Sequence, residues 1–337
     1  FTYTFTIRPP WWLTWWAYAL YFLIGISAIG GYVIRLRRKI IEEQKKLERE
    51  QYLNRELKEL NIATTRFVPH DFIHILNKES IKELNLGDQT EATMTVLFAD
   101  IRDYTSLSET MSPEDNFKFI NAYLVRIGPI IREHGGFICQ YSGDGIMALF
   151  KDNHDIAFKA AIEMQHAIQR YNRKRLANSR KPIRVGIGLN TGRLMLGVIG
   201  DEMRYDTSVI SDAVNTAARM EGLTKLFGCQ VIVSEKTLTT LKMNTDANMP
   251  ETLGGNFRFL GKVKVKGKEN VLKIYDFYDG ETEEIRQLKS STKPLFEKAL
   301  GLYYNQEFGK AADLFKFIIE KYPSDVVTNY YMDKSVR

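Results

Sequence analysis

Residues 9–34 carry no charged side chain, and residues 11–34 form an apolar run of 24 residues. As a helix this run is about 36 Å long, against ~30 Å for the hydrocarbon core of a bilayer. Trp11, Trp12, Trp15 and Trp16 crowd its N-terminal end, where an interfacial aromatic belt belongs, and Arg35, Arg37, Arg38 and Lys39 follow it at once. By the positive-inside rule the chain after the run is cytoplasmic. A cleaved signal peptide is disfavoured, because the basic cluster lies after the apolar run and no small-residue cleavage site follows. The sequence thus predicts one transmembrane helix in an inner (plasma) membrane, touching lipid through residues 11–34.

Ahead of that helix, residues 1–7 alternate with period two and are β-branched or aromatic throughout. With Pro9-Pro10-Trp11-Trp12 they resemble the end of the β-sandwich that precedes the membrane helix in many bacterial sensor proteins. The first residue is Phe1 rather than Met, so residues 1–10 are expected to close a truncated extracytoplasmic β domain. After the helix, residues 35–66 are rich in Lys, Arg, Glu, Gln and Leu. Val33, Leu36, Ile40 and Leu47 follow an a/d pattern, which Leu53, Leu57 and Leu60 resume after a six-residue step. This predicts a parallel dimeric coiled coil continuing from the membrane helix. Residues 67–92 read as a linker, in which His70 and His74 are ordinary linker histidines, since no further ligand cluster lies near them.

The whole chain of 337 residues is 44% hydrophobic and 26% charged, which excludes both wholesale disorder and a polytopic membrane protein. Its net charge of +6 is mild and partly explained by the cluster after the apolar run, so no nucleic-acid partner is implied. Two cysteines, Cys139 and Cys229, exclude a disulfide scaffold.

Chemistry-bearing residues concentrate between Met94 and Phe277. Strands are expected at residues 94–98, 137–141, 146–150, 184–190, 194–200, 231–233, 258–265 and 273–277, with helices at 116–133, 155–172 and 212–225. The opening β-α-β-β-α-β order is that of an α+β, ferredoxin-like fold with appended strands. In such a sheet Asp100, closing the first strand, and Asp144, in the Ser142-Gly-Asp-Gly145 turn, end up side by side. Carboxylates meeting at one sheet end suit a pair of Mg²⁺ or Mn²⁺ ions that bridge nucleotide phosphates. The loop after Asp100 opens a helix whose free amides can hold phosphate oxygens. Taken singly, Asp100 is a helix cap and Asp144 a turn residue; their coincidence favours the metal pair.

Four segments then resemble the class III nucleotidyl cyclases: Val96-Leu-Phe-Ala-Asp-Ile-Arg-Asp-Tyr-Thr-Ser106, Tyr141-Ser-Gly-Asp-Gly-Ile-Met-Ala148, Val209-Ile-Ser-Asp-Ala-Val-Asn-Thr-Ala-Ala-Arg-Met-Glu221 and Val265-Lys-Gly-Lys268. The lead-in Arg66-Phe-Val-Pro69 and Leu86-Gly-Asp88 resembles bacterial members, and the catalytic domain is expected over residues 93–280. The resemblance implies a homodimer with composite sites, two Mg²⁺ or Mn²⁺ per site, and ATP or GTP as substrate. Asp100, Asp144 and the carbonyl of Ile101 would hold the metals on one chain. Asn215 would orient the ribose and Arg219 stabilise the transferring phosphoryl group from the other chain. Lys266, with the loop of Ile101, Arg102, Asp103, Tyr104 and Thr105, would bind the phosphates.

One departure concerns the base. Adenylate-type members usually carry Lys four residues before the second metal aspartate and Asp or Thr seven before the motif Asn; guanylate-type members carry Glu and usually Cys. Here the two positions are Gln140 and Ser208, each able to donate and to accept. The missing acid at 140 favours ATP, giving a membrane-anchored adenylate cyclase, with guanylate or dual specificity the alternative. Two other classes are weighed. A non-catalytic scaffold of this fold is opposed by the metal aspartates, Asn215 and Arg219, and a diguanylate cyclase by the Val209–Glu221 motif and Lys266.

After Gly280 a polar linker is expected to residue 293. Leu295, Phe296, Ala299, Leu300 and Tyr303, then Phe308, Ala311, Ala312, Phe315 and Ile318, trace two amphipathic helices stopped by Tyr322-Pro323. Residues 290–333 thus resemble one tetratricopeptide-like repeat, which alone cannot bury its faces and is expected to pack on the cyclase or a neighbour.

Overall fold

The structure, a computed structural model, describes residues 10–65, 67–151, 154–243, 255–264 and 271–336. The expected strand over residues 1–7 and the Val265-Lys-Gly-Lys268 motif, with Lys266, lie outside the described residues. The chain divides into two units, residues 1–67 and 68–337.

In the first unit a short turn, Trp11–Leu13, leads into α1 (Trp15–Thr65), one uninterrupted helix of 51 residues. Among the described residues it is the one helix long and apolar enough to cross a membrane. The expected a/d residues Val33, Leu36, Ile40, Leu47, Leu53, Leu57 and Leu60 are each 42–62% exposed, so a single chain leaves that stripe uncovered.

The second unit is built on a mixed sheet. Its strands are β1 (Gln89–Ile101), β2 (Gly136–Ser142), β3 (Gly145–Lys151), β4 (Val185–Asp201), β5 (Arg204–Ile210), β6 (Val231–Ser234), β7 (Phe257–Lys264) and β8 (Val271–Phe277). They lie in the order β2-β3-β1-β4-β6-β8-β7, with β5 paired to β4. The first four strands are antiparallel, as the expected ferredoxin-like core requires, and β6 adds parallel to β4. Residues 96–99 are apolar at successive positions because both faces of β1 are covered. Leu97, Ala99 and Ile101 pack with α4 (Pro113–Glu133) and α5 (His154–Ala177). Met94 and Val96 face the opposite way, toward Phe72, Leu76 and Ala217.

Several boundaries differ from expectation, each for a local reason. The expected linker 67–92 carries α2 (His70–Ile75), whose Phe72 and Ile73 are buried, and the first residues of β1. α4 starts earlier than residue 116 because Ser112 Oγ accepts from the Asp115 N–H at 3.1 Å and Pro113 occupies the first turn. The helix after the Asp100 loop is only α3 (Tyr104–Ser108), entered through Asp103 at φ 57°. The expected linker 280–293 is mostly helix: α8 (Glu283–Tyr304) begins there and buries Lys289 and Thr292. Beyond α9 (Phe308–Lys321) a third helix, α10 (Val326–Val336), completes the tail.

The tail packs on the catalytic unit, not in isolation. Phe296, Leu300, Phe315, Ile318, Val327 and Tyr331 share one buried cluster with Met220, Phe227, Ile232, Leu260 and Ile274.

Candidate active site

β1 delivers Asp100, and the β2–β3 turn delivers Asp144. Gly143 takes φ 64° in that turn, which a side chain would resist. A Cβ on Gly145 would stand 3.7 Å from Asp100 Oδ1, so the turn closes directly over the first carboxylate. Asp144 is 8% exposed, and its Oδ2 accepts from the Ile101 N–H at 3.1 Å. The same N–H lies 3.1 Å from Asp100 Oδ1. Burial, then the hydrogen-bonded and charged Asp100 carboxyl, push Asp144 up to about 7, against the backbone N–H groups of Asp144 and Ile101.

Two carboxylates forced together call for a cation. Their oxygens, with the neighbouring Ile101 carbonyl, are hard ligands of the kind Mg²⁺ and Mn²⁺ take. Among the described residues no cluster of three or more acidic, His or Cys ligands forms, so this is an aspartate pair and not a closed protein cage. That composition leaves coordination positions to water and substrate phosphate, as Mg²⁺ sites generally do. The pair fits the expected metals.

The loop beyond Ile101 is fixed through its side chains. The Arg102 N–H donates to the Arg184 carbonyl at 2.8 Å, and its Nη2 donates to the carbonyls of Thr224, at 3.0 Å, and Cys229. Asp103 sits between Lys225 Nζ at 2.5 Å and Arg184 Nη2 at 3.7 Å, and the bond from Lys225 holds its carboxyl below the usual range. The side chains of Arg102 and Asp103 are thus engaged in holding the loop.

Asn215 and Arg219 lie one turn apart on α6 (Asp212–Phe227), both exposed. The helix lies almost flush on β4, because a Cβ on Gly188 would come within 2.3 Å of the Ala217 carbonyl and one on Gly186 within 2.1 Å of Thr224 Oγ1. This close approach also brings in Glu221, which the sequence reading left without a role. Glu221 is pushed up to about 7 by burial and by the Asp100 charge, against the pull of Arg102. Arg184 was missed as well, and no local pattern marks it, since it meets Asp103 only through the fold. Gln140 follows a bulge in β2 between Ile138 and Gln140, while Ser208 of β5 pairs with Gly197 of β4. β2 and β5 approach each other in space, which brings the strands of the two expected base-reading residues together.

Residues 86–277, more than half of the chain, match the family described as the Adenylate and Guanylate cyclase catalytic domain. An adenylate cyclase from Anabaena cylindrica is 43% identical over 217 residues, covering 63% of this chain and 42% of that protein. The terminal-differentiation specific adenylate cyclase of Dictyostelium discoideum is 31% identical over 287 residues, 83% of this chain and 13% of that protein. The chain therefore spans less than half the length of these relatives. The crystal structure of the adenylyl cyclase CyaB from P. aeruginosa is similar at a TM-score of 0.50 and 26% identity, covering 58% of this chain and 97% of that one. By that family match over residues 86–277, the chain belongs to the class III nucleotidyl cyclases.

Proposed function

We propose that the chain is a membrane-anchored adenylate cyclase, converting ATP to 3′,5′-cyclic AMP and pyrophosphate at the interface of a homodimer as the output of a transmembrane sensor. The observation that carries this reading is the Asp100–Asp144 pair, in which Asp144 is buried and both carboxylates meet the Ile101 N–H, in a chain related to adenylate cyclases. Support for the anchor is the apolar N-terminal part of α1, and the exposed a/d stripe after it supports pairing with a second copy.

Asp100, Asp144 and the Ile101 carbonyl would hold two divalent ions, whose chemistry would be to make the ribose 3′-hydroxyl more acidic and to neutralise phosphate charge. The 3′-oxygen attacks the α-phosphorus in line, and pyrophosphate leaves opposite it. Asn215 of the second copy orients the ribose. Arg219, from the same helix, places a fixed cation where negative charge develops. Lys266 and the backbone of residues 101–105 hold the terminal phosphates. Gln140 and Ser208 face the base, and since each donates and accepts, their chemistry also supports GTP as a second substrate.

The test is the full chain in lipid nanodiscs, supplied separately with ATP and GTP under Mg²⁺ and Mn²⁺, with cyclic nucleotide and pyrophosphate both measured. Cyclic AMP that disappears in Asp144→Ala is the expected result. Cyclic GMP alone would reassign the base, and silence with both nucleotides would leave a non-catalytic scaffold. Cysteine pairs cross-linked in different registers along residues 36–60 extend the measurement to sensor control: equal activity in every register removes it.

A further inference from the structure

Beside the loop after Ile101 lies a cavity of 840 Å³ whose lining shares only Arg102 and Asp103 with the residues assigned to the cyclase reaction. Its walls are α3, α4, the end of α5 and the segment leading into β4, and neither Asp100 nor Asp144 lines it. Six cations border it, Arg102, Lys118, Arg175, Arg180, Lys181 and Arg184, against two acids, Asp103 and Asp115. Both acids are already engaged. Asp103 is held by Lys225 and Arg184, and Asp115 Oδ2 accepts from Ser112 Oγ at 2.8 Å.

Arg175 decides what such a cavity wants. Its side chain is 6% exposed, with the guanidinium 4.9 Å from the Phe119 ring centre and 5.6 Å from that of Tyr171. Its Nε donates to the Lys181 carbonyl at 2.6 Å, and no ion pair to Arg175 occurs among the described residues. A cation this deeply buried is normally matched by an anion, because desolvating it alone is costly. Arg180 and Lys181 extend from the exposed loop after α5, next to Arg175 in the same wall. The floor is apolar, formed by Leu107, Met111, Tyr171 and Ile183, and the volume is that of a site for one drug-sized molecule.

We propose that this cavity binds an amphiphilic organic anion, with a flat apolar body on the floor and a sulfonate, carboxylate or phosphate on Arg175, Arg180 and Lys181. Planar, fork-like guanidinium donors suit such oxyanions, and stacking on Phe119 fixes the plane in advance. The ligand lies against Arg102 and Asp103, the residues that follow the expected metal-binding positions, and so adjoins the proposed reaction centre. Binding there does not depend on the chain having cyclase activity.

Naphthalene-2-sulfonate tests this by equilibrium dialysis against the full chain in phosphatidylcholine nanodiscs, with empty nanodiscs subtracted. Saturable binding of one molecule per chain is expected, about tenfold weaker or more for the neutral naphthalene-2-sulfonamide. The Arg180→Ala/Lys181→Ala double variant, which alters only exposed side chains, should weaken the sulfonate about tenfold or more at an unchanged melting temperature. Asp144→Asn should bind it like the parent chain. Absence of saturable binding, equal affinity for the sulfonamide, full affinity in the double variant, or displacement of the probe by ATP would each overturn the proposal.

Discussion

Asp144 illustrates how one residue can work against the fold that holds it. Its carboxyl ionises near 3.8 in an unfolded chain and at about 7 in the folded one, because burial and Asp100 both favour the protonated form. The folded state therefore holds a proton that the unfolded state has lost over that interval. The metal-free chain is expected to lose stability as pH rises from about 4 to about 7, and to change little from this group above that. Thermal unfolding of the metal-free chain across pH checks this, with Asp144→Asn flattening the slope. Adding Mn²⁺ at pH 7.5 should raise the melting temperature of the parent chain and leave the variant nearly unmoved. Asp100 and Asp144 were legible in the sequence because each sits at a recognisable joint, a strand end and a Gly-flanked turn. Glu221 and Arg184 were not, since their place beside Asp100 and Asp103 comes from packing between segments far apart in the chain.

α6 packs on β4 with almost no side chain between them. Gly186, Gly188 and Gly192 stand on one face of β4, and a Cβ at any of them would meet α6 within 2.6 Å. On this period-two face only position 190 carries a side chain, Asn190, which donates to the Ala213 carbonyl of α6 at 3.0 Å, and the three glycines set the height of the helix bearing Asn215 and Arg219. Gly188→Ala would force a methyl to within 2.3 Å of the Ala217 carbonyl and 2.4 Å of the Glu221 nitrogen. Overpacking of this kind costs about 1–3 kcal/mol, and the helix must lift to relieve it. We expect a lower melting temperature together with a fall in kcat. Gly222→Ala on the same helix is the contrast: nothing lies within 4 Å of its added methyl, so stability should rise by about 0.5–1 kcal/mol. An unchanged kcat in Gly188→Ala would separate helix height from catalysis. Alternation and apolar runs made the strands and long helices readable beforehand. Their ends were less so, as at Ser112-Pro113, where a cap and a first-turn proline extend α4 by a turn that the apolar periodicity does not mark.

Across the molecule the tail is tied to the catalytic unit by charge as well as by apolar packing. Arg258 on β7 is fully buried and bonds Asp325, just before α10, through Nη1 at 2.7 Å and Nη2 at 3.2 Å. Asp276 on β8 accepts from Arg258 at 3.3 Å and from Lys289 of α8 at 2.8 Å, and Lys289 also reaches Glu281 at 2.5 Å. This network explains why residues 280–293 looked like a linker: a lysine such as Lys289 is ordinarily solvent-exposed, yet its partners lie in a sheet and a turn that composition does not reveal. The tail also meets α6, through Phe227 against the rings of Tyr330 at 5.4 Å and Tyr331 at 6.5 Å. Asp325→Ala would leave the Arg258 guanidinium buried with only Asp276 for a carboxylate, and removing one member of a buried pair costs about 3–5 kcal/mol. The exposed Lys310–Glu307 pair of the same tail provides the reference, since surface pairs contribute about 0–1 kcal/mol. Denaturant unfolding of the full chain should therefore show a large loss for Asp325→Ala and almost none for Lys310→Ala. Catalytic-unit and tail probes should lose stability together in Asp325→Ala, because the cluster containing Phe296 and Tyr331 is also the cluster containing Met220 and Ile232. Separate transitions for the two would mean that the tail is an independent module resting on the cyclase, and that the buried network orders the tail alone.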